Sequence, residues 1–307
     1  MPFGMVQRPD VTPCWHRKYG MPYPHNVPIP RRSNVDFLAK LKAAARTRGS
    51  WLCVGLDPIV EKLPACLPRS STGVTAFCRR IIESTAPHAC AFKPNIAFFE
   101  ALGRDAFSVL EDVISSVPED IPVILDAKRG DIGSTAHLYA RSYFEKLGVD
   151  AVTLSPYLGW DAIEPFLGYP GKAGFVLCLT SNPSAAQIQM LPCEGEPLYV
   201  KVARLVQSQN PSTGLVVGGT RPEQIGIVRE ICPESPFLIP GIGAQGGDLE
   251  LSVRLGSWKT GGGALINASR AVLYASNGED FAEAAGGVAA GLKEEIARAG
   301  SAFQRSP

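Results

Sequence analysis

Residues 125–135 read LDAKRGDIGST and bring two carboxylates and a lysine close together. They continue the apolar run 122–125, and side chains alternate along a strand. Asp126 and Lys128 should therefore share a face and emerge at the carboxyl end of a buried strand. A second lysine, Lys93, ends another apolar run. Isolated buried charges are costly, so charges at these positions are expected to be paired or functional. The pattern predicts an active site.

A structural ion pair at the mouth of a barrel is the alternative for Asp126 and Lys128, since ion pairs also perturb strand ends that have no function. The addition of Lys93, Asp131 and the Gly-Asp-Ile-Gly turn favours catalysis. A cation held at such a site can stabilise a negative charge that develops on a bound substrate and can then donate a proton to it. A lysine between two carboxylates suits this task because nearby opposite charges keep it cationic.

Strand and helix patterns alternate from residue 33 onward. Eight short apolar runs lie at residues 51–56, 90–93, 122–127, 151–155, 175–180, 215–219, 237–241 and 264–269. Helical patterns lie between most of them, for instance at 134–147, 198–207 and 222–231, and another follows at 280–299. Strands buried on both sides are typical of a closed parallel barrel. The predicted fold is therefore α/β, a single (β/α)8 TIM barrel; a doubly wound open sheet, the alternative, usually has fewer strands.

The first 32 residues differ from the rest, because they contain seven prolines and no amphipathic period. Residues 1–32 are predicted to form a disordered or loosely draped arm, and residues 33–307 the barrel domain. The arm resembles neither a secretory signal nor a transit peptide, and a mistaken start codon is the other explanation. Ser33 or Asn34 is expected to cap the first helix. That helix should present one apolar face, made of Val35, Leu38, Leu41 and Ala45.

Charge and composition exclude several classes of protein. Lysine and arginine number 30 against 29 acidic residues, so the basic field expected of a nucleic-acid-binding protein is missing. No apolar run reaches the roughly 18 residues that span a bilayer, so no membrane partner is expected. The eight cysteines form no CxxC pair, and Cys53, Cys90 and Cys178 fall in predicted strands. These features predict free thiols in a cytoplasmic protein without disulfides, and the histidine spacing predicts no metal site.

In a barrel of this kind the chemistry lies at the carboxyl ends of the strands. Seven blocks near those ends, in the same order, resemble the orotidine 5'-monophosphate decarboxylases, in the type 2 branch with longer loops. The resemblance runs from about residue 33 to the carboxyl terminus, and the arm has no counterpart in it. The blocks are residues 54–58, 92–95, 126–136, 153–159, 217–220, 239–248 and 267–270.

The resemblance implies a cofactor-independent carboxy-lyase that converts orotidine 5'-monophosphate to UMP, the last step of pyrimidine nucleotide synthesis. Lys128 would donate a proton to C6 of the pyrimidine, and Asp126 would face the departing carboxylate. Lys93 and Asp131 would complete an alternating Lys-Asp-Lys-Asp array. The resemblance also implies a homodimer, in which Asp131 and Thr135 reach across the interface into the other subunit's site.

Three further residues are candidates for binding the nucleoside. The resemblance assigns Asp57 to ribose hydroxyls, which an ionised acceptor suits, although a turn or cap role is the ordinary one for an aspartate before proline. Ser181, or its neighbour Thr180, is expected at the polar edge of the pyrimidine, where hydrogen bonds give selectivity. Pro240 is expected to line the ring pocket.

Residues 241–246 read GIGAQG and satisfy the G-x-G-x-x-G pattern, which alone would suggest a dinucleotide fold. The match is weak, because the next strand ends in Ser269-Arg270 and offers no acid for a ribose. In a barrel, the loops after the seventh and eighth strands bind phosphate through backbone amides. Gln245 and Arg270 are the expected side-chain ligands, with a plain surface cation as the alternative for Arg270.

Two other functions remain open. Sugar-phosphate decarboxylases and aldolases of the same superfamily share an Asp-x-Lys-x-x-Asp segment but resemble metal enzymes. They have an acidic ligand where this chain has Lys93, which would repel a divalent ion. The second alternative is a non-catalytic nucleotide-binding barrel. The phosphate loop fits such a protein, but a proton donor flanked by acids does not.

Overall fold

The structure, a computed structural model, describes residues 35–242 and 246–304, the last three by their backbone alone. The predicted arm of residues 1–32 and the phosphate ligand Gln245 lie outside the described residues. Within those residues no helix is both long and apolar enough to cross a membrane.

Eight parallel strands form a barrel, and each lies within two residues of a predicted apolar run. The strands are β1 (Leu52–Leu56), β2 (Ala91–Pro94), β3 (Ile124–Arg129), β4 (Ala151–Leu154), β5 (Ala173–Leu179), β6 (Gly214–Val217), β7 (Phe237–Ile239) and β8 (Ala264–Ala268). Their order is β2-β1-β8-β7-β6-β5-β4-β3, so each strand pairs with its neighbours in the chain. Two parallel bridges, Phe92 with Val123 and Asn95 with Asp126, join β2 to β3 and close the ring. The barrel prediction is confirmed, and the open-sheet alternative is wrong.

Helices surround the barrel and follow most of its strands. They are α1 (Phe37–Arg48), α2 (Ser71–Thr85), α3 (Ile96–Glu100), α4 (Ala106–Ser115), α5 (Gly133–Arg141), α6 (Glu164–Leu167), α7 (Ala186–Gln189), α8 (Leu198–Gln209), α9 (Pro222–Ile231), α10 (Leu249–Gly256), α11 (Arg270–Leu273) and α12 (Phe281–Gln304). A π-helical segment, Ser142–Lys146, continues α5. A small antiparallel hairpin, Pro192–Cys193 with Glu196–Pro197, precedes α8.

The first helix begins later than the sequence predicted. Asp36 caps it, because its carboxylate accepts a hydrogen bond from the backbone nitrogen of Ala39 at 3.0 Å. The prediction of Ser33 or Asn34 as the cap is therefore wrong, and Val35 lies outside the helix, 47% exposed. Leu41 and Ala45 are buried as predicted. The start is set by a tertiary contact, since the backbone nitrogen of Phe37 bonds the carbonyl of Gly171 at 3.1 Å.

The barrel interior is filled in layers. One apolar cluster includes inward side chains from all eight strands together with α1, which covers the amino end of the barrel. Its strand members include Cys53, Ala91, Ile124, Ala151, Phe175, Val216, Leu238 and Leu265. Two residues further along each strand, the side chain returns to the inward face. On β2, β3 and β4 these next positions are Lys93, Asp126 and Thr153, so the fold itself places polar groups at the carboxyl end.

Candidate active site

Asp126 lies between two lysines at the carboxyl end of the barrel. Lys93 Nζ donates a hydrogen bond to Asp126 Oδ2 at 2.7 Å, and Lys128 Nζ donates to Asp126 Oδ1 at 2.6 Å. The side chains of Lys93 and Asp126 are 4% and 13% exposed, whereas that of Lys128 is 51% exposed. The predicted grouping of these three residues is therefore observed, with one ammonium open to solvent.

The backbone that brings Asp126 and Lys128 together is not the regular strand assumed from the sequence. Pairing of β3 with β4 shifts register between Leu125 and Arg129. Lys128 has φ of +49°, and Glu194 is the one other non-glycine residue in the described ranges with positive φ. Such a conformation costs roughly 1–3 kcal/mol and persists where the surroundings impose it. Regular alternation alone thus does not explain the pairing; a bulge at Lys128 helps to produce it.

Thr153 on β4 supports this bulge, and the sequence reasoning missed it. Its Oγ1 accepts hydrogen bonds from the backbone nitrogens of Ala127 at 3.0 Å and Lys128 at 2.9 Å. The same hydroxyl donates to Asp126 Oδ1 at 3.0 Å. A signal was available, because Thr153 is a polar residue in the apolar run 151–155, on the inward face of its strand.

The cluster holds its charges firmly. Burial by itself would raise the pKa of Asp126, but the ammonium groups of Lys93 and Lys128 outweigh it, so the pKa is lowered well below its ordinary value. Burial by itself would lower the pKa of Lys93, but the carboxylates of Asp126 and Asp57 outweigh it, so that pKa is raised. Asp126 is therefore ionised and Lys93 cationic around neutral pH.

Asp131 and Thr135 do not join this cluster within one chain. Asp131 Oδ1 accepts a hydrogen bond from the backbone nitrogen of Ile132 at 2.8 Å, and in the described part of the chain it forms no ion pair. Thr135 lies in the first turn of α5 and is exposed. Within one chain, three of the four charged groups predicted from the sequence are therefore joined by ion pairs, and Asp131 is not joined to them.

The nucleoside candidates Asp57 and Ser181 each carry a side-chain oxygen without a hydrogen-bond partner among the described residues. Asp57 Oδ1 is buried and has no hydrogen-bond partner within the described ranges. The same holds for Oδ1 of Asn267 on β8, a strand that pairs with β1. The sequence reasoning did not single out Asn267. Buried acceptors without partners are costly, so the two oxygens suit the hydroxyl donors of a ligand.

The structure separates Ser181 from Thr180. The Thr180 hydroxyl donates to Asn182 Oδ1 at 2.6 Å and accepts from Gln189 Nε2 at 2.9 Å. No hydrogen bond involves the Ser181 hydroxyl among the residues that the structure describes, and this side chain is half-buried. The geometry therefore favours Ser181 as the group that meets a ligand.

Pro240 and Arg270 both lie just after barrel strands, as predicted. Pro240 follows β7 and is half-buried, and its carbonyl accepts a hydrogen bond from Gly219 at 2.8 Å. Gly241 has φ of +93°, which allows the turn into the loop that contains Gln245. Arg270 is the first residue of α11, is exposed, and forms no ion pair with any described residue. Both residues therefore lie at the carboxyl end of the barrel, as the charged cluster does.

Residues 35–242 and 246–304 contain no group of three or more His, Cys, Asp or Glu side chains that could hold a metal ion. The inward thiol of Cys53 lies below the cluster, and burial raises its pKa to about 12. A thiol in this state is a poor nucleophile, so the chemistry at this end of the barrel falls to the lysines and carboxylates.

Known proteins that this chain resembles belong to one family. A sequence model of the family described as Orotidine 5'-phosphate decarboxylase / HUMPS matches residues 50–285. An orotidine 5'-phosphate decarboxylase of Herpetosiphon aurantiacus is 50% identical over 257 residues, covering 82% of this chain and 95% of that protein. One of Cupriavidus metallidurans is 48% identical over 268 residues, covering 86% and 98%. The solved structure of Leishmania donovani OMP decarboxylase is 40% identical with a TM-score of 0.76, covering 86% of this chain and 99% of that one.

Proposed function

The chain belongs to the orotidine 5'-phosphate decarboxylase / HUMPS family and decarboxylates orotidine 5'-monophosphate to UMP, and on this premise we propose that Lys128 protonates C6 of the pyrimidine. One observation carries the proposal: the Lys128 ammonium is held 2.6 Å from Asp126, while the Lys128 side chain is 51% exposed at the carboxyl end of the barrel. The sugar-phosphate and non-catalytic alternatives lose support, because relatives at 48–50% identity over most of both chains are named decarboxylases of this nucleotide.

The reaction breaks the bond between C6 and the carboxylate carbon. The electron pair stays on C6 and carbon dioxide leaves. The Lys128 ammonium stabilises this charge as it develops and then transfers a proton to C6, which yields UMP and a neutral amine. The amine regains a proton from solvent. Stabilisation that grows as the bond breaks raises the rate, whereas equal binding of substrate and transition state does not.

Asp126 and Lys93 hold the proton donor in place. The Asp126 carboxylate orients the Lys128 ammonium through the 2.6 Å hydrogen bond, and Lys93 balances the second oxygen of the same carboxylate. Asp126 also lies where the substrate carboxylate would approach Lys128. Repulsion between the two carboxylates then destabilises the bound substrate relative to the transition state.

The nucleotide is bound by groups around the same rim. Asp57 accepts hydrogen bonds from ribose hydroxyls, Ser181 meets the polar edge of the pyrimidine, and Pro240 packs on the ring. Gln245 and Arg270 bind the phosphate, Arg270 through a charge-assisted hydrogen bond. The exposure of Arg270 and the partnerless oxygen of Asp57 support these assignments. The Lys93 ammonium would repel a divalent cation, so we expect turnover without a bound metal ion.

Replacement of the donor tests the proposal. We expect Lys128→Ala to lower turnover at least about 10⁴-fold, because it removes both the acid and the cation beside the developing charge. The measurement is loss of the orotidine absorbance band, with chelator present and no cofactor added. Lys259→Ala, which removes an exposed lysine far from the rim, is the matched control and should retain full turnover. Unchanged turnover of Lys128→Ala would exclude Lys128 as the donor.

We further propose that the enzyme acts as a homodimer in which Asp131 and Thr135 complete the site of the other subunit. The segments that follow β3 and β4 also carry exposed apolar side chains: Ile132, Leu138, Tyr157 and Leu158, between 53% and 80% exposed. Exposed apolar side chains grouped in this way favour an interface. The cytoplasmic location expected from the cysteine pattern stays a prediction.

Mixing two inactive variants tests the shared site. Lys128→Ala and Asp131→Ala should each abolish turnover. In the proposed dimer, however, the Lys128 and the Asp131 of one site come from different subunits. A mixed dimer therefore contains one intact site, and random exchange at equal amounts should restore about a quarter of the wild-type turnover. Each variant alone is the control. No recovery after verified subunit exchange would show that Asp131 serves its own subunit.

A further inference from the structure

Thr153 makes three hydrogen bonds with its single hydroxyl, all of them to the segment that carries the proton donor. It accepts from the backbone nitrogens of Ala127 and Lys128, at 3.0 and 2.9 Å, and donates to Asp126 Oδ1 at 3.0 Å. A threonine hydroxyl offers one donor and two acceptor sites, so its capacity is fully used. The side chain is 1% exposed, which leaves water no access to replace it.

The two backbone bonds compensate for a break in the sheet. The β3–β4 ladder pairs Leu125 with Val152 and resumes only at Arg129 with Leu154. Between these pairs the nitrogens of Ala127 and Lys128 bond the Thr153 hydroxyl. A buried backbone nitrogen without a partner would be costly, so this hydroxyl makes the bulge tolerable.

The bulge in turn fixes the direction of the Lys128 side chain. A lysine in a regular strand does not adopt the φ of +49° that Lys128 has. With this backbone conformation the Lys128 side chain points back along the chain, and its ammonium bonds Asp126, two residues earlier. The chain then passes the end of β4 through Gly130, where any Cβ would lie 2.5 Å from the carbonyl oxygen of Ser155. The path on both sides of Lys128 is therefore constrained by β4.

The third bond orients the carboxylate. Asp126 Oδ1 accepts from both Thr153 and Lys128, while Oδ2 accepts from Lys93. A carboxylate held at three points cannot rotate to exchange its lysines. We infer that Thr153 is a positioning residue for the decarboxylation: it holds the Lys128 bulge and the Asp126 carboxylate in the geometry from which the ammonium reaches C6.

This inference rests on the proposed role of Lys128. It predicts that removal of the hydroxyl slows the chemical step without much effect on nucleotide binding, because Thr153 is buried beneath the charged residues. Thr153→Val keeps the branched shape and removes the hydroxyl. We expect kcat to fall about 100-fold, the size of effect that a small misplacement of a reacting group produces. KM should stay within about threefold of the wild-type value.

Two controls separate positioning from stability. Thr153→Ser restores the hydroxyl and should recover kcat to within about fivefold of the wild type. Thr85→Val makes the same exchange at another fully buried threonine, whose hydroxyl bonds the carbonyl of Ile81 at 2.7 Å inside α2. It should lower the melting temperature but leave kcat unchanged. If Thr153→Val does not fold, Thr153→Ser and Thr153→Ala give the same comparison, since they differ only by the hydroxyl.

The outcomes are distinguishable from failure of the proposed function. Full turnover of Lys128→Ala would overturn the role of Lys128 itself. Loss of turnover in Lys128→Ala together with wild-type kcat in Thr153→Val would overturn only the inference about Thr153. A rise in KM at constant kcat, or a valine variant no slower than Thr85→Val, would likewise contradict it.

Discussion

The barrel carries two arrangements in which an aspartate lies near two lysines, one at each end. At the amino end, Asp150 bonds Lys40 at 3.0 and 3.1 Å and has Lys172 at 4.0 Å. At the carboxyl end, Asp126 bonds Lys93 at 2.7 Å and Lys128 at 2.6 Å. The residue types are the same, so composition does not explain why we assign the chemistry to the carboxyl end.

The two clusters differ in access. At the amino end the side chains of Lys40, Asp150 and Lys172 are 4%, 3% and 13% exposed. Asp150 Oδ2 also accepts a hydrogen bond from the backbone of Val123, and Lys172 donates to the carbonyl of Val149. This cluster joins α1 to the starts of β3 and β4. Its charged groups are covered and bond other groups of the protein.

At the carboxyl end one ammonium remains available to a ligand, because Lys128 is half exposed. The pair of Lys40 and Asp150 at the opposite end, which the sequence analysis did not consider, has the covered character of a structural ion pair. A buried Lys–Asp pair becomes a candidate for catalysis when one partner faces an open rim. In a parallel barrel the strand ends and their loops form that rim.

The largest difference between the two clusters should appear in kcat when each aspartate is replaced by asparagine. Asp126→Asn removes the charge that holds Lys128 in place, and kcat should fall about 10³-fold or more. Asp150→Asn alters only the covered cluster, so its kcat per folded molecule should stay within about threefold of the wild-type value. Steady-state kinetics on protein checked by circular dichroism measure both. Equal losses of kcat in two folded variants would remove the distinction between the ends.

The stability effects should have the opposite order. Lys40→Met leaves the buried carboxylate of Asp150 without its nearest cation, and breaking such a pair costs roughly 3–5 kcal/mol. Lys128→Met removes a half-exposed partner, for which about 1 kcal/mol or less is expected. Urea unfolding gives both values. The comparison would fail if Lys128→Met destabilised the protein as much as Lys40→Met.

The smallest effect should be a change with pH in the free energy of unfolding, caused by the charged residues at the carboxyl end. Asp126 has a pKa below its ordinary 3.8, so its contribution is present above that value and is lost as pH falls through the native pKa. Lys93 has a pKa above its ordinary 10.5, so its contribution is complete below that value and is lost only at higher pH. The difference in unfolding free energy between wild type and Asp126→Asn should thus be constant near neutrality.

Urea titrations at several pH values test this expectation. Below about pH 4 the difference between wild type and Asp126→Asn should shrink, because the unfolded chain then binds the proton that native Asp126 resists. A difference that stayed constant down to pH 2 would mean that the Asp126 carboxylate is not stabilised by its lysines.

Much of the architecture follows from the sequence alone. The eight apolar runs matched the eight strands because strands buried on both sides must be continuously apolar, a requirement visible in local composition. The same runs located Lys93, Asp126 and Lys128, since a charge that ends such a run stands out. The comparisons place the chain in the family whose motifs these residues carry.

Other features were decided only by the tertiary structure. Thr153 reaches Asp126 and Lys128 from another strand, 25 to 27 residues away in sequence, and no local pattern encodes that contact. Likewise, the Gln189 side chain donates a hydrogen bond to the Thr180 hydroxyl, which leaves Ser181 as the better candidate for contact with a ligand. Apolar periodicity reports burial, which is a property of each segment. Hydrogen bonds between segments depend on how the strands register against one another, and register exists only in the folded barrel.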